Sequence, residues 1–303
     1  MSAFYALIAI RLIIFVAAML LFGSSLFALY APWEAMEWSD AWPRTAGLPR
    51  GVAIGSGVLL FVSVFGWLIG TAASLNDESN PLLMSEMIRT MLFETGLGRV
   101  WVVQLGLTLL LLGGVLTKAS SRIILMLAAA ALASQAWIGH AAMGTGLQGI
   151  LRLGTMVIHL LAAGAWLGGL VPLGSVLLAA RRAGQEPALV AAGTALRRFS
   201  RMGYVAVGLL LLSGSANTSF LVGSAGAFSR AYGSVLVVKL VLATVLLSLA
   251  LANRVLLSRF DEEERVDLAA LSALRRNVLL EQLAGLFVLG AVSVLGLLPP
   301  GGS

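Results

Sequence analysis

The sequence predicts an all-α fold, a polytopic membrane helix bundle of about eight transmembrane helices with both termini on the outer, periplasmic side. Three observations carry the prediction. Of 303 residues, 59% are hydrophobic and 11% charged, and the mean hydropathy is +0.96, a composition far outside that of soluble domains. The apolar residues gather in runs of roughly 20, the length at which a helix crosses a bilayer with its own backbone hydrogen bonds closed. The basic residues divide unevenly between the connections. A soluble enzyme, a disulfide scaffold and a disordered chain are excluded together.

Taken in order, the spans lie near residues 4–30, 51–75, 99–117, 122–140, 151–179, 202–222, 232–257 and 278–298. The first run is too long for the apolar core of a signal peptide and carries Arg11 inside it, so it reads as a retained helix. Residues 76–98 are too polar to span. They read as a helix on the periplasmic surface, with Met84, Met87 and Met91 at helical spacing. Residues 259–276 begin acidic and end basic, the polarity that a helix dipole prefers, and read as a cytoplasmic connecting helix. The connections after the first, third, fifth and seventh spans hold fourteen basic residues, and the opposite side holds four, Arg89, Arg99, Arg152 and Arg230. The richer side is cytoplasmic by the positive-inside rule, which leaves both termini outside. The whole chain, 1–303, reads as one transmembrane domain.

The chain has no cysteine and only two histidines. Thiolate sites and a three-histidine zinc centre are therefore excluded, and a metal would have to be held by His, Met, carboxylate or backbone. His159 lies about nine residues into the fifth span, roughly 13 Å from its outer end by helix rise. Helical offsets put Met156, His159, Ala163 and Trp166 on one stripe, with Arg152 a turn above. The fourth span repeats the pattern at its outer end with Trp137, His140 and Met143. The Gly-rich connection after it makes the two spans antiparallel neighbours. Each histidine reads either as an interhelical hydrogen-bonding residue or as a ligand. Imidazole beside thioether suits a soft ion, Cu(I) rather than Cu(II). Gly164 and Gly168 allow close approach of another helix. Lys239 and Asn217, both near the outer end of the membrane, are expected to hydrogen-bond. Glu281 reads as a partner of Arg254 before it reads as a proton relay, and Gln104 and Gln135 are expected to bond between helices. No residue set for catalysis and no P-loop appear, so neither an enzyme nor ATP-driven transport is expected.

Several segments, from roughly Glu94 to Pro300, resemble the copper resistance protein D (CopD) family of bacterial inner-membrane proteins. They are Gly98-Arg99-Val100-Trp101, Gly139-His140-Ala141-Ala142, His159 to Leu170, Phe199-Ser200-Arg201-Met202-Gly203, Ser213-Gly214-Ser215-Ala216-Asn217, Tyr232-Gly233, Lys239-Leu240, Asn253-Arg254, Glu281 and Pro299-Pro300. Their order and spacing make the resemblance specific, while residues 31–97 add little to it. The resemblance implies copper homeostasis, movement of copper across the inner membrane, and a periplasmic copper-binding protein of the CopC type as a separate donor, with no nucleic-acid partner. The residues then nominate His140, His159, Met143 and Met156 as the copper site. Met84, Met87 and Met91 stand as an entry point, with Trp137, Trp166, Asn217, Lys239 and Glu281 as polar support. Two other readings stand beside transport. One is a haem-binding electron-transfer protein, opposed by the depth offset of the two histidines. The other is a copper-binding sensor that does not transport.

Overall fold

The computed structural model describes residues 2–31, 47–75, 81–138, 145–225, 230–262 and 268–299. Its elements are α1 (Ser2–Tyr30), α2 (Arg50–Leu75), α3 (Pro81–Glu94), α4 (Gly96–Leu116), α5 (Ser121–Ser134), α6 (Gly146–Ala183), α7 (Glu186–Ala225), α8 (Arg230–Glu262) and α9 (Leu268–Leu295). Among the described residues, seven helices are long and apolar enough to cross a membrane. The fourth expected span is shorter, because α5 passes into a 3-10 turn at Gln135–Trp137. Together they cover Ser121–Trp137, at the short end of what a crossing needs. The protein is thus an all-α membrane bundle.

Local signals account for several boundaries. Thr95 caps α4 by accepting a hydrogen bond from the Gly98 N–H at 2.9 Å, which fills one of the orphan positions of a first turn. Gly184, at φ 60°, ends α6 in the left-handed conformation that glycine adopts without strain, and its N–H returns to the Ala180 carbonyl.

The largest departure from expectation lies between the fifth and sixth spans. Residues 180–201 are not a loop. At 1.5 Å per residue, α6 is about 57 Å long against a hydrocarbon core of about 30 Å, so α6 and α7 project past the membrane as a helical hairpin. Ala188, Ala191, Ala192 and Ala195 are fully buried there with Val176, Leu177 and Ala180. Apolar packing of small side chains, which a span search cannot separate from a loop, holds the hairpin together. Its arginines remain exposed, and Arg198 donates to the Tyr30 carbonyl at 2.7 Å, placing a cation on the C-terminal end of α1. Residues 259–262 close α8 and 268–276 open α9, with 263–267 outside the described residues.

Two apolar clusters make the interior. One joins α1, α2, α4 and α5 around Trp67 and Trp101. The other joins α6, α7 and α9 around Phe27, Trp166 and Phe199. α1 and α6 link them at a seam where Gly23 meets Gly164 and Gly168 backbone to backbone, so that any Cβ at Gly168 would overlap the Met19 carbonyl. The close approach expected at Gly164 and Gly168 is therefore made, and α1 is the partner.

Candidate functional site

α6 and α7 lie antiparallel, and three side-chain contacts step along them in register. The Arg152 guanidinium lies over the Phe220 ring, 5.6 Å from its centroid. One turn on, Thr155 Oγ1 donates to Asn217 Oδ1 at 2.7 Å. One further turn on, His159 Nδ1 stands 3.0 Å from Ser213 Oγ. Pairs 152/220, 155/217 and 159/213 move in equal and opposite steps, as an antiparallel hairpin requires.

The bonding of Ser213 favours one tautomer of the imidazole. A hydroxyl has one proton. Ser213 Oγ points it at the Leu209 carbonyl, 2.5 Å away, so toward His159 it acts as acceptor. Neutral His159 therefore carries its proton on Nδ1 and leaves Nε2 with a free lone pair, the tautomer needed to ligate a metal through Nε2. Lys239 of α8 is near enough for its charge to act on this imidazole. The hydrogen bond expected between Lys239 and Asn217 is not formed, because the amide oxygen of Asn217 faces Thr155 across the hairpin instead.

Farther along the same face of α6, Trp166 is buried beside Glu281 of α9. Glu281 is 2% exposed. It accepts from Asn253 Nδ2 at 2.5 Å and from the Trp166 side chain. The expected pairing with Arg254 is not made, since that guanidinium lies over the Tyr204 ring, 5.4 Å from its centroid. A neighbouring amide has replaced the expected cation. Gln104, expected to bond between helices, has its amide nitrogen buried with no partner.

The nominated ligands are not all brought to one place. His140 and Met143 lie outside the described residues. Met156 packs with the α1 cluster while the imidazole three residues on turns toward α7, so the expected stripe splits between two faces. Trp137 is exposed in the 3-10 turn. On α3, Met91 packs into the first cluster and Met87 is half-buried, and the Met84 side chain lies outside the described residues. Among the described residues no group of three or more His, Asp or Glu side chains converges as a metal site. Sequence reasoning missed Thr155, although it stands four residues before His159 on the same face, and it missed Asn253 as the partner of Glu281.

Seven long apolar helices among the described residues, with a half-buried imidazole between two of them, define the class, a multi-pass membrane protein. Two family models divide its length, the copper resistance protein D-like N-terminal domain at residues 1–150 and copper resistance protein D at residues 193–295. The chain is 30% identical over 97% of its length to copper resistance protein D of Pseudomonas syringae pv. tomato, covering 96% of that protein. It is also 30% identical to inner membrane protein YebZ of Escherichia coli K12, over 85% of this chain and 86% of the relative. Copper transport protein CutJ of Bacillus subtilis 168 matches at 30% over 76% of this chain and 42% of the relative. The chain belongs to the copper resistance protein D family and is a multi-pass inner-membrane protein. The N-terminal match covers residues 31–97, to which the motifs gave little. The names in this family are those of resistance and transport proteins.

Proposed function

We propose that this protein serves copper homeostasis by binding copper in the outer half of the inner membrane and passing it across. The observation that carries the reading is the His159–Ser213 pair, which keeps Nε2 of a membrane-embedded imidazole free to donate a lone pair. His140 and Met143 are the further ligands. Imidazole and thioether together favour Cu(I). Lys239 provides no lone pair while protonated, and its charge close to the imidazole helps to expel a bound cation onward.

The fourteen-to-four division of basic residues supports periplasmic termini, with the exposed arginines of the α6–α7 hairpin inside the cell. A periplasmic CopC-type protein is the proposed donor. The test is the paired variant His140→Ala with His159→Ala, purified and assayed for bound copper. Loss of copper with an unchanged melting temperature is expected, whereas an unchanged metal stoichiometry refutes the site. Orientation is tested separately by a phosphatase fused after Ser303, which should be active, and a cytoplasmic reporter there, which should be silent.

A further inference from the structure

The helices carrying the site leave a crevice. α7 packs along α6, α8 packs along α9, and α6 meets α9, while α7 and α8 hardly touch. The space between α7 and α8 is floored by α6 and α9 and holds a cavity of about 330 Å³. Leucines, valines and Phe199 make most of its wall. Its polar side chains are Trp166 of α6, Ser200 and Tyr204 of α7, Asn253 and Arg254 of α8, and Glu281 of α9.

Glu281 is the most buried of the acids described, and among the described residues no cation pairs with it. The nearest candidate, Arg254, is spent on the Tyr204 ring. Asn253 gives its amide N–H to one carboxylate oxygen, which leaves its own Oδ1 buried with no partner. A carboxylate is an acceptor only, and beside it stands an acceptor with nothing to accept. The local shortfall is one donor, and one proton supplies it. When Glu281 binds a proton, its O–H donates to Asn253 Oδ1 after the amide turns over, which gives that oxygen the partner it lacks beside the carboxylate.

We propose that Glu281 is a proton-binding site reached through the crevice between α7 and α8. The carboxylate takes a proton from water at the crevice mouth, and the same proton returns to water on release. The titratable or charged groups facing it are Tyr204 and Arg254. Trp166, which lines the crevice, follows His159 by seven residues, about 10.5 Å along one face of α6, so the crevice begins two helical turns beyond the imidazole. Resting on the copper reading above, a copper cation in the crevice and a proton on Glu281 compete for one negative charge. Exchange of one for the other is the expected coupling.

The test uses the full chain in lipid nanodiscs and in proteoliposomes. Infrared difference spectra on lowering the pH should show a protonated carboxyl carbonyl band that is lost in Glu281→Gln and shifted in Glu281→Asp. In vesicles, an opposing pH gradient should speed copper flux several-fold in the native chain, and in Glu281→Gln the ratio of flux with the gradient to flux without it should fall to one. A carboxyl band that survives both substitutions overturns the proposal. A band assigned to Glu281 in a chain that moves no copper under any gradient upholds the proton site and refutes the transport reading instead.

Discussion

The two halves of the bundle differ in whether their polar side chains bond across helices, although both also close hydroxyl bonds within one helix, as Ser293 does to the Leu289 carbonyl. In the first, Ser25, Thr71 and Thr108 each return a hydroxyl to a carbonyl four residues earlier, Leu21, Trp67 and Gln104, so the bond closes within one helix and specifies no neighbour. In the second, Thr155 reaches Asn217, His159 meets Ser213, Asn253 reaches Glu281, and Gln282 Nε2 donates to the Leu170 carbonyl at 2.8 Å. These bonds cross between helices and define a polar line through apolar surroundings. The first half reads as a packed buttress, and the second as the working part.

The comparison breaks most completely at the seam between the halves. Gly168→Leu should cost more than about 3 kcal/mol and prevent recovery of folded protein, since the new side chain overlaps backbone that cannot yield. Size-exclusion chromatography with a thermal melt reads this. Next, His159→Ala should abolish copper retention while shifting the melt little, because its one hydrogen bond joins helices already packed along their length. Ser213→Ala removes the group that fixes the tautomer and should weaken copper binding about 10- to 100-fold, as loss of an outer-shell partner does. Thr155→Val should lower stability by about 1 kcal/mol with copper affinity kept. Ser25→Ala, the matched change in the first half, should stay within about 0.5 kcal/mol. A copper effect from Ser25→Ala as large as that from Ser213→Ala would erase the distinction between the halves.

Much of this architecture is legible in residue spacing. Lipid imposes one strong rule, and runs such as 4–30 and 51–75 obey it closely enough to place α1 and α2 almost to the residue. The hairpin of α6 and α7 was not legible beyond the membrane, because Ala188, Ala191 and Ala192 are too weakly apolar to read as a buried face without their partner. At the site, His159 was legible as a polar group deep in a span. Its partner was not, since helical offsets relate residues on one helix and the decisive contacts come from another. That limit explains the splitting of the Met156–His159 stripe and the choice of Asn253 over Arg254 at Glu281.

The central claim is that copper crosses by way of His159 on the face that α6 shares with α7. Time-resolved copper uptake into proteoliposomes of known orientation tests it directly, with the native chain and His159→Ala reconstituted at equal density and each copper valence supplied in turn. The account predicts rapid uptake of Cu(I) by the native chain and, for a His159→Ala variant that still melts normally, uptake no faster than into empty vesicles. Native flux through His159→Ala would contradict it.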